Sequence, residues 1–508
     1  MHDVETGHDT AAPGGAPARV SLAGRAALAV ALFIGFYLLA VLVAGVLVFI
    51  PYAEWTVAHR LHIQLAFGCL VAAGVILWSL VPRPDRFEPP GPRLDPATQP
   101  ALFALIREVA AATGQPLPAE VYLIPEVNAW VSSRGGFLGF GSRRVMGLGL
   151  SLLSIVTVSQ LRAVLAHEFG HYYGGDIRVG PWIYKTRAAI GRTLVGLAGS
   201  VVQRPFWWYG RLFLRVTHAV SRRQEFVADE LAARTVGAQP LIAGLRAIHG
   251  AAGAFAVYWD SEVVPVLKGG FRPPLAEGFA AFLAAPAVAT AVQRHLEAAL
   301  AAGQSDPYDT HPALAERIAA AQRLPPGRVP AEDPPALSLL AGAAACEHQM
   351  LRSLAGAAHA RSLQPVAWAA TGAQVFVPRW SAVAEQHRAD LADMTLADLP
   401  QVAGRRAAFG RHVGHPEGRG FTEDEWAAWG GYVLGAALAS TLAGAGWEVQ
   451  ALPGVPVECR RGETGIAPFS TLDHLTDGTL SAAAWQAQCA AAEIGALPLS
   501  GGPVTVRA

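Results

Sequence analysis

Two stretches without a charged side chain set the terms for the rest of the molecule. Residues 26–53 hold no Asp, Glu, Lys or Arg, and 28–50 within them are almost wholly aliphatic and aromatic. Residues 61–82 are again free of those four types and close on Pro82 and Pro84. About 20 apolar residues in a helix cross the ~30 Å hydrocarbon layer of a bilayer, so the spacing predicts a hairpin of two spans, at about 28–50 and 62–81. A cleaved leader is the competing reading of the first. Its apolar run is too long for one, and no small-residue cleavage site precedes Pro51. Basic residues crowd one side of the hairpin: Arg19 and Arg25 before it and Arg83, Arg86 and Arg93 after it, against Arg60 alone between the spans. Positive charge is retained on the inner side, so both termini, and whatever follows the hairpin, are expected in the cytoplasm.

At 508 residues the chain has material for more than one folded unit beyond the hairpin. The polar tail 1–25 has the composition of a disordered segment. Prolines crowd 83–100 and again 324–336, which marks linkers on either side of a region 101–323. Residues 337–508 form a C-terminal α/β region that carries no recognisable chemistry. Within 101–323 the pattern predicts a helix over 101–112, strands at 121–124 and 145–150, and a glycine-rich hairpin at 135–141. A helix capped by Ser159 follows and runs to Tyr173, and another runs from Ser221 to Val236. Between those two helices, 182–220 is aromatic and aliphatic but interrupted by Lys185, Arg187, Arg192, Arg204, Arg211 and Arg215, so it reads as an amphipathic hairpin on the membrane surface. Further on, helices are expected at 337–360 and 424–445 and strand-like runs at 373–377 and 447–452. The fold class is therefore mainly α with a small β-sheet, α+β, behind a transmembrane hairpin. Lys+Arg and Asp+Glu balance at 39 each, so charge offers nothing to a nucleic acid. Cys69, Cys346, Cys459 and Cys489 show no pairing or ligand spacing and read as reduced thiols.

The chemistry is concentrated in His167-Glu168-Phe169-Gly170-His171. Residues four apart on a helix share a face, so both histidines can turn a ring nitrogen to one tetrahedral cation. Glu168 stands beside them, free to take a proton from water that the cation has acidified and to pass it to a leaving amine. A catalytic zinc needs a third protein ligand and an open position. Asp176 is near in sequence, but the elongated version of the motif wants its ligand where Ile177 stands. Glu225 is the alternative, with Asp229 one turn later able to orient a ligand histidine.

At this point the chain resembles the HtpX and CAAX-prenyl-protease group of membrane zinc peptidases, a gluzincin family. The resemblance rests on Leu165-Ala166-His167-Glu168-Phe169-Gly170-His171, on Ser221-Arg222-Arg223-Gln224-Glu225-Phe226-Val227-Ala228-Asp229, and on Thr310-His311-Pro312-Ala313-Leu314-Ala315-Glu316-Arg317-Ile318. It covers about 101–323 and implies a zinc endopeptidase with one Zn2+ held by His167, His171 and Glu225, with Asp229 as second partner of a ligand histidine. It also implies Glu168 and His311 as catalytic groups, the latter a donor to the oxyanion. Asn128 and Ala129 resemble the edge segment that holds an extended polypeptide substrate by strand addition, and Arg317 is implied to border the bound substrate. The role implied is membrane protein quality control or processing. The alternative is a membrane scaffold that keeps the fold without the catalysis, and the presence of Glu168 speaks against it.

Overall fold

The computed structural model describes residues 22–81, 87–135, 142–172, 180–302, 311–328, 330–355, 362–416 and 418–500. The first charge-free stretch lies in helix α1, Leu22–Ala58, and the second in α2, Ile63–Leu80. The helices pack through small residues, with Ala40, Ala44 and Leu47 of α1 and Cys69, Ala73 and Ile76 of α2 in one cluster. Small side chains let apolar helices approach closely where lipid supplies no hydrophobic drive. Leu38, Leu42 and Phe67 point away from that seam and are exposed, as lipid-facing side chains are. At the turn between the helices His62 pairs with Glu54.

The segment 182–220, expected as an amphipathic hairpin on the membrane surface, packs one face on this hairpin. Helix α6, Gly180–Gly196, and the first half of α7, Gln203–Val236, put Ala189, Ile190, Leu197, Phe206 and Phe213 into the same cluster as Phe36 and Ile76. On α7 the arginines lie to one side of the packed face: Arg204, Arg211 and Arg215 are exposed, whereas Phe206, Gly210, Phe213 and Thr217 are buried; on α6, Arg187 and Arg192 are half-buried, and Arg192 donates to the Ser79 carbonyl of α2. The second expected helix therefore begins at Gln203 rather than Ser221, and a single rod joins the anchor to the soluble domain.

That domain opens with β1, Arg93–Leu94, and α3, Pro100–Ala112, whose Leu102, Leu105, Ile106 and Val109 are buried as their spacing predicts. Strands β2 (Glu120–Ile124), β3 (Ala129–Arg134) and β4 (Arg143–Gly149) complete a four-stranded sheet in the order β1-β2-β4-β3. The central pair β2 and β4 is parallel, and β3 runs antiparallel to β4 with Ala129 opposite Leu148. This leaves β3 as an edge. At Gly147 a Cβ would lie 2.4 Å from the indole of Trp130 across the ladder, so the missing side chain makes room for the tryptophan. The expected hairpin tip 136–141 lies outside the described residues.

Helices α4, Leu150–Ile155, and α5, Val158–Gly170, follow the sheet. Helix α8, Ala238–Tyr258, continues through a π-helical turn into α9, Val264–Lys268. By length and composition 238–268 would also suit a membrane, as α1 and α2 do. Leu241, Leu245, Tyr258, Val263 and Val266 are instead buried in the soluble core against α5, α7 and α10, Leu275–Ala284. The core is closed by α11, Pro286–Ala301, and α12, Leu314–Ala321.

The proline-rich segment 324–336 does not divide the packing. Ala336, Leu340, Met350, Leu351, Val366 and Trp368 belong to the same core as the sheet, and α13, Ala343–Ala355, sends Glu347 to accept hydrogen bonds from the first backbone N–H groups of α10. A second core begins at Val377 and is built round the helix Glu423–Gly444. Two expectations fail locally. The helix expected over 337–360 is split at Gly342, whose φ of 63° no other residue type adopts readily. The strand expected at 373–377 is a π-helical turn, Gly372–Phe376, seated against the carbonyl of Val449. The expected strand at 447–452 is found at Glu448–Gln450, in a three-stranded antiparallel sheet.

Candidate metal centre

Helix α5 is capped by Thr157, whose hydroxyl accepts from the Gln160 backbone while the Gln160 side chain accepts from the Thr157 N–H. Ser159, the expected cap, lies inside the helix and gives its N–H to Asp333. The helix ends at Gly170, and His171 keeps a right-handed helical conformation in the cap position. The one-turn relation of the two histidines survives: their rings lie 4.8 Å apart, edge to face.

Helix α7 comes to α5 at a point fixed by Gly170. A Cβ there would lie 2.7 Å from the Cα of Ala228, so the helices touch backbone to backbone. Glu225 and Asp229 flank Ala228 and are brought beneath the histidines. Glu225 Oε2 is 3.5 Å from His167 Nε2, and Oε1 is 3.7 Å from His171 Nε2. One donor atom from each of His167, His171 and Glu225 falls within 4.8 Å of the others. A tetrahedral ion with bonds of ~2.0–2.1 Å sets its ligand atoms roughly 3.3 Å apart, so these side chains need only slight contraction to hold one. Glu225 Oε2 is buried 3.4 Å from Arg317 Nη1 and 3.5 Å from His167 Nε2, neither in hydrogen-bonding geometry.

The surroundings complete the arrangement. Asp229 Oδ1 lies 2.9 Å from His167 Nδ1, which turns Nε2 toward Glu225. Arg317 of α12 donates to both oxygens of Asp229, at 2.8 and 2.7 Å, and its Nη1 stands 3.4 Å from Glu225. Arg317 is 5% exposed. It is thus paired with Asp229 and borders the centre from its buried side. His311 Nδ1 is 3.1 Å from Glu225 Oε1 on a largely exposed imidazole, so it borders the centre from the open side.

Electrostatics separate the four groups. Burial disfavours a charged His167, but the Asp229 and Glu225 carboxylates outweigh it and raise its pKa to about 9. Burial, helped by the neighbouring His167, depresses His171 to about 4. Burial pushes Glu168 up to about 7. Glu225 is held far below the usual carboxylate range: burial opposes this, and the adjoining His167, His311 and Arg317 overcome it.

Sequence reasoning missed the link between the motif and the sheet. The Glu168 carboxylate takes a hydrogen bond from the backbone of Val131 on edge strand β3, and Tyr172 donates to the Val131 carbonyl at 3.0 Å. Tyr172 is four residues after Glu168, so its spacing carried the signal. Ala129 is buried at the start of β3, Asn128 is exposed just before it, and the Asn128 carbonyl accepts from Gly149. Asp176 lies outside the described residues.

Comparison with known proteins agrees with this geometry. Residues 96–324 match the profile of Peptidase family M48. A Protease HtpX homolog of Syntrophobacter fumaroxidans is 29% identical over 169 residues, which covers 28% of this chain and 55% of the relative. Protease HtpX of Idiomarina loihiensis is 28% identical over 167 residues, 29% of this chain and 56% of the relative. A Protease HtpX homolog of Burkholderia mallei is 26% identical over 245 residues, 44% and 74% of the two chains. The chain thus spans just over half the length of the first two relatives. No solved structure matches it.

Proposed function

We propose, from the match of residues 96–324 to the profile of Peptidase family M48, that this chain is a membrane-anchored zinc endopeptidase of that family acting on polypeptides at the cytoplasmic face. The observation that carries the reading is the convergence of His167, His171 and Glu225 from two helices on one point, with Glu168 beside it. Two imidazoles and one carboxylate are the ligand set of a catalytic zinc that keeps a position open. Bound there, the ion supplies Lewis acidity toward a scissile carbonyl and toward water.

The remaining work falls to the chain's own residues. Glu168 takes the proton of the attacking water and returns it to the departing amine. Edge strand β3 holds the substrate backbone extended, with Asn128 and Ala129 at its entry, and places the scissile bond beside Glu168 through the contact at Val131. His311, at the open side, donates to the oxygen on which charge develops. Asp229 and Arg317 orient His167 and Glu225. The basic residues at 19, 25, 83, 86 and 93 support the cytoplasmic placement, and the spans support substrates drawn from membrane proteins.

Metal analysis of the purified full chain tests the ligand set. Glu225→Ala is expected to bind zinc at least 100-fold more weakly than the parent and to lose cleavage of an unfolded membrane protein. Retention of one tightly held zinc by Glu225→Ala would show that the third ligand lies elsewhere.

A further inference from the structure

Edge strand β3 can offer a polypeptide only the backbone groups that its ladder with β4 leaves over. The Gly149 N–H donates at 2.8 Å to the carbonyl of Asn128, directly opposite it. In an antiparallel ladder such paired residues alternate with residues whose N–H and C=O point the other way. Counted along the register from Asn128, the backbone groups of Trp130, Ser132 and Arg134 face β4, and those of Ala129, Val131 and Ser133 face outward. The second and third of these outward positions are already engaged. The Val131 N–H goes to Glu168. The Val131 carbonyl accepts from the Tyr172 hydroxyl at 3.0 Å, and Ser133 donates to the same hydroxyl from its N–H and its side chain. A phenol has one hydrogen to give and two lone pairs, so that of Tyr172 is fully occupied by the strand.

Tyr172 is held there from its other sides as well. Its N–H donates to the Phe169 carbonyl at 3.0 Å, and the guanidinium of Arg144 lies 4.2 Å over its ring. Arg144 stands on β4 opposite Ser133 and donates to Gln115 at 3.1 Å. An incoming chain could offer the Val131 carbonyl an N–H and the Ser133 N–H a carbonyl in place of the phenol. That exchange gains nothing over the hydrogen bonds already made and gives up the contact with Arg144.

We propose that Tyr172 is a wall across the substrate edge: it withholds β3 from Val131 onward, so that a polypeptide is gripped on one side of the scissile bond and leaves the sheet on the other. The inference rests on the peptidase reading above and narrows its substrates to chains free to turn away at the bond to be cut, as flexible segments and loose ends are. The end of β3 left to them is that of Asn128 and Ala129.

Two sets of unstructured peptides built round one cleavage sequence test this on the full chain in detergent, one lengthened residue by residue on the N-terminal side of the scissile bond and the other on the C-terminal side. With the parent, kcat/KM should rise with length in one set and stay level in the other. Tyr172→Phe keeps the ring under Arg144 and frees the Val131 carbonyl and the Ser133 N–H. Each hydrogen bond so offered is worth ~2–10-fold, so the level set should acquire a rise of roughly 4–100-fold while the other set is unaltered. Arg144→Ala, which loosens the ring and keeps the phenol, should move the level set the same way by less. Zinc content at the parent level in both variants shows that the neighbouring His171 is undisturbed. Equal rises in the two sets with the parent overturn the wall, as does a level set that stays level in both variants; cleavage that Glu168→Gln abolishes leaves the peptidase reading standing in either case. Failure of the parent to cut any peptide overturns that reading and the wall with it.

Discussion

Glu168→Gln is expected to abolish proteolysis while leaving the bound metal in place. The substitution keeps the shape of the side chain and its hydrogen bond from Val131, and Glu168 is not among the three residues that converge on the metal position. What is lost is a group that can take a proton. General-base assistance is worth roughly 10²–10⁴-fold in rate, so kcat should fall by that factor with KM little changed, because binding along β3 is untouched. Zinc content at the parent level, measured on the same preparation, separates this from collapse of the site. Parent-level kcat in Glu168→Gln would remove the proton-transfer role.

Arg317→Ala should do its damage elsewhere. Arg317 is paired through two hydrogen bonds with Asp229 and stands over Glu225, all three side chains being buried. Removing one member of such a group leaves the others charged and uncompensated, at a cost of ~3–5 kcal/mol. Chemical denaturation should show that loss, and zinc affinity should fall by ~10–100-fold as Asp229, the partner that orients His167, loses the guanidinium that holds it. Arg317→Lys should recover only part of either, since an ammonium cannot make the paired contact to a carboxylate. If Arg317→Ala raised KM for peptide with stability and zinc affinity unchanged, the arginine would be a substrate contact after all.

The metal centre was legible in the chain because its residues obey local rules. His167 and His171 are one helical turn apart, and Glu225 and Asp229 are another such pair. What joins the pairs is Gly170, a residue whose importance lies in what it lacks, and no periodicity reveals the helix it will touch. The contacts of Arg317 were not legible for a related reason. A sequence shows an arginine next to a motif, but its direction depends on α12 crossing α7, which is a matter of tertiary packing. The anchor was legible because a membrane demands a long run of one character. The segment 182–220 was harder, since its apolar residues face both protein and surroundings and its arginines divide between the two as well, so no single-window average describes it. Past residue 324, prolines suggested a boundary that packing ignores: Leu340, Met350 and Trp368 are held by the same core as the sheet.

Helix α7 is one unbroken rod of 34 residues that begins beside the spans and carries Glu225 in its second half. From Trp208 to Glu225 the helical rise amounts to ~25 Å, so under the proposed function the rod would be a fixed spacer between bilayer and scissile bond. A membrane-embedded substrate would then be cut only where its loose end reaches that far. At ~3.3 Å per extended residue, roughly eight residues would have to leave the bilayer before the bond to be broken, fewer where the rod leans. A series of substrates with the cleavage sequence moved stepwise toward the membrane should show cutting fall away below that length. Efficient cutting at residues adjoining the span would mean that the rod does not set the distance. The length of this helix would then decide which membrane proteins are accessible: those with a frayed or unfolded tail, and not those whose chain turns back at the surface.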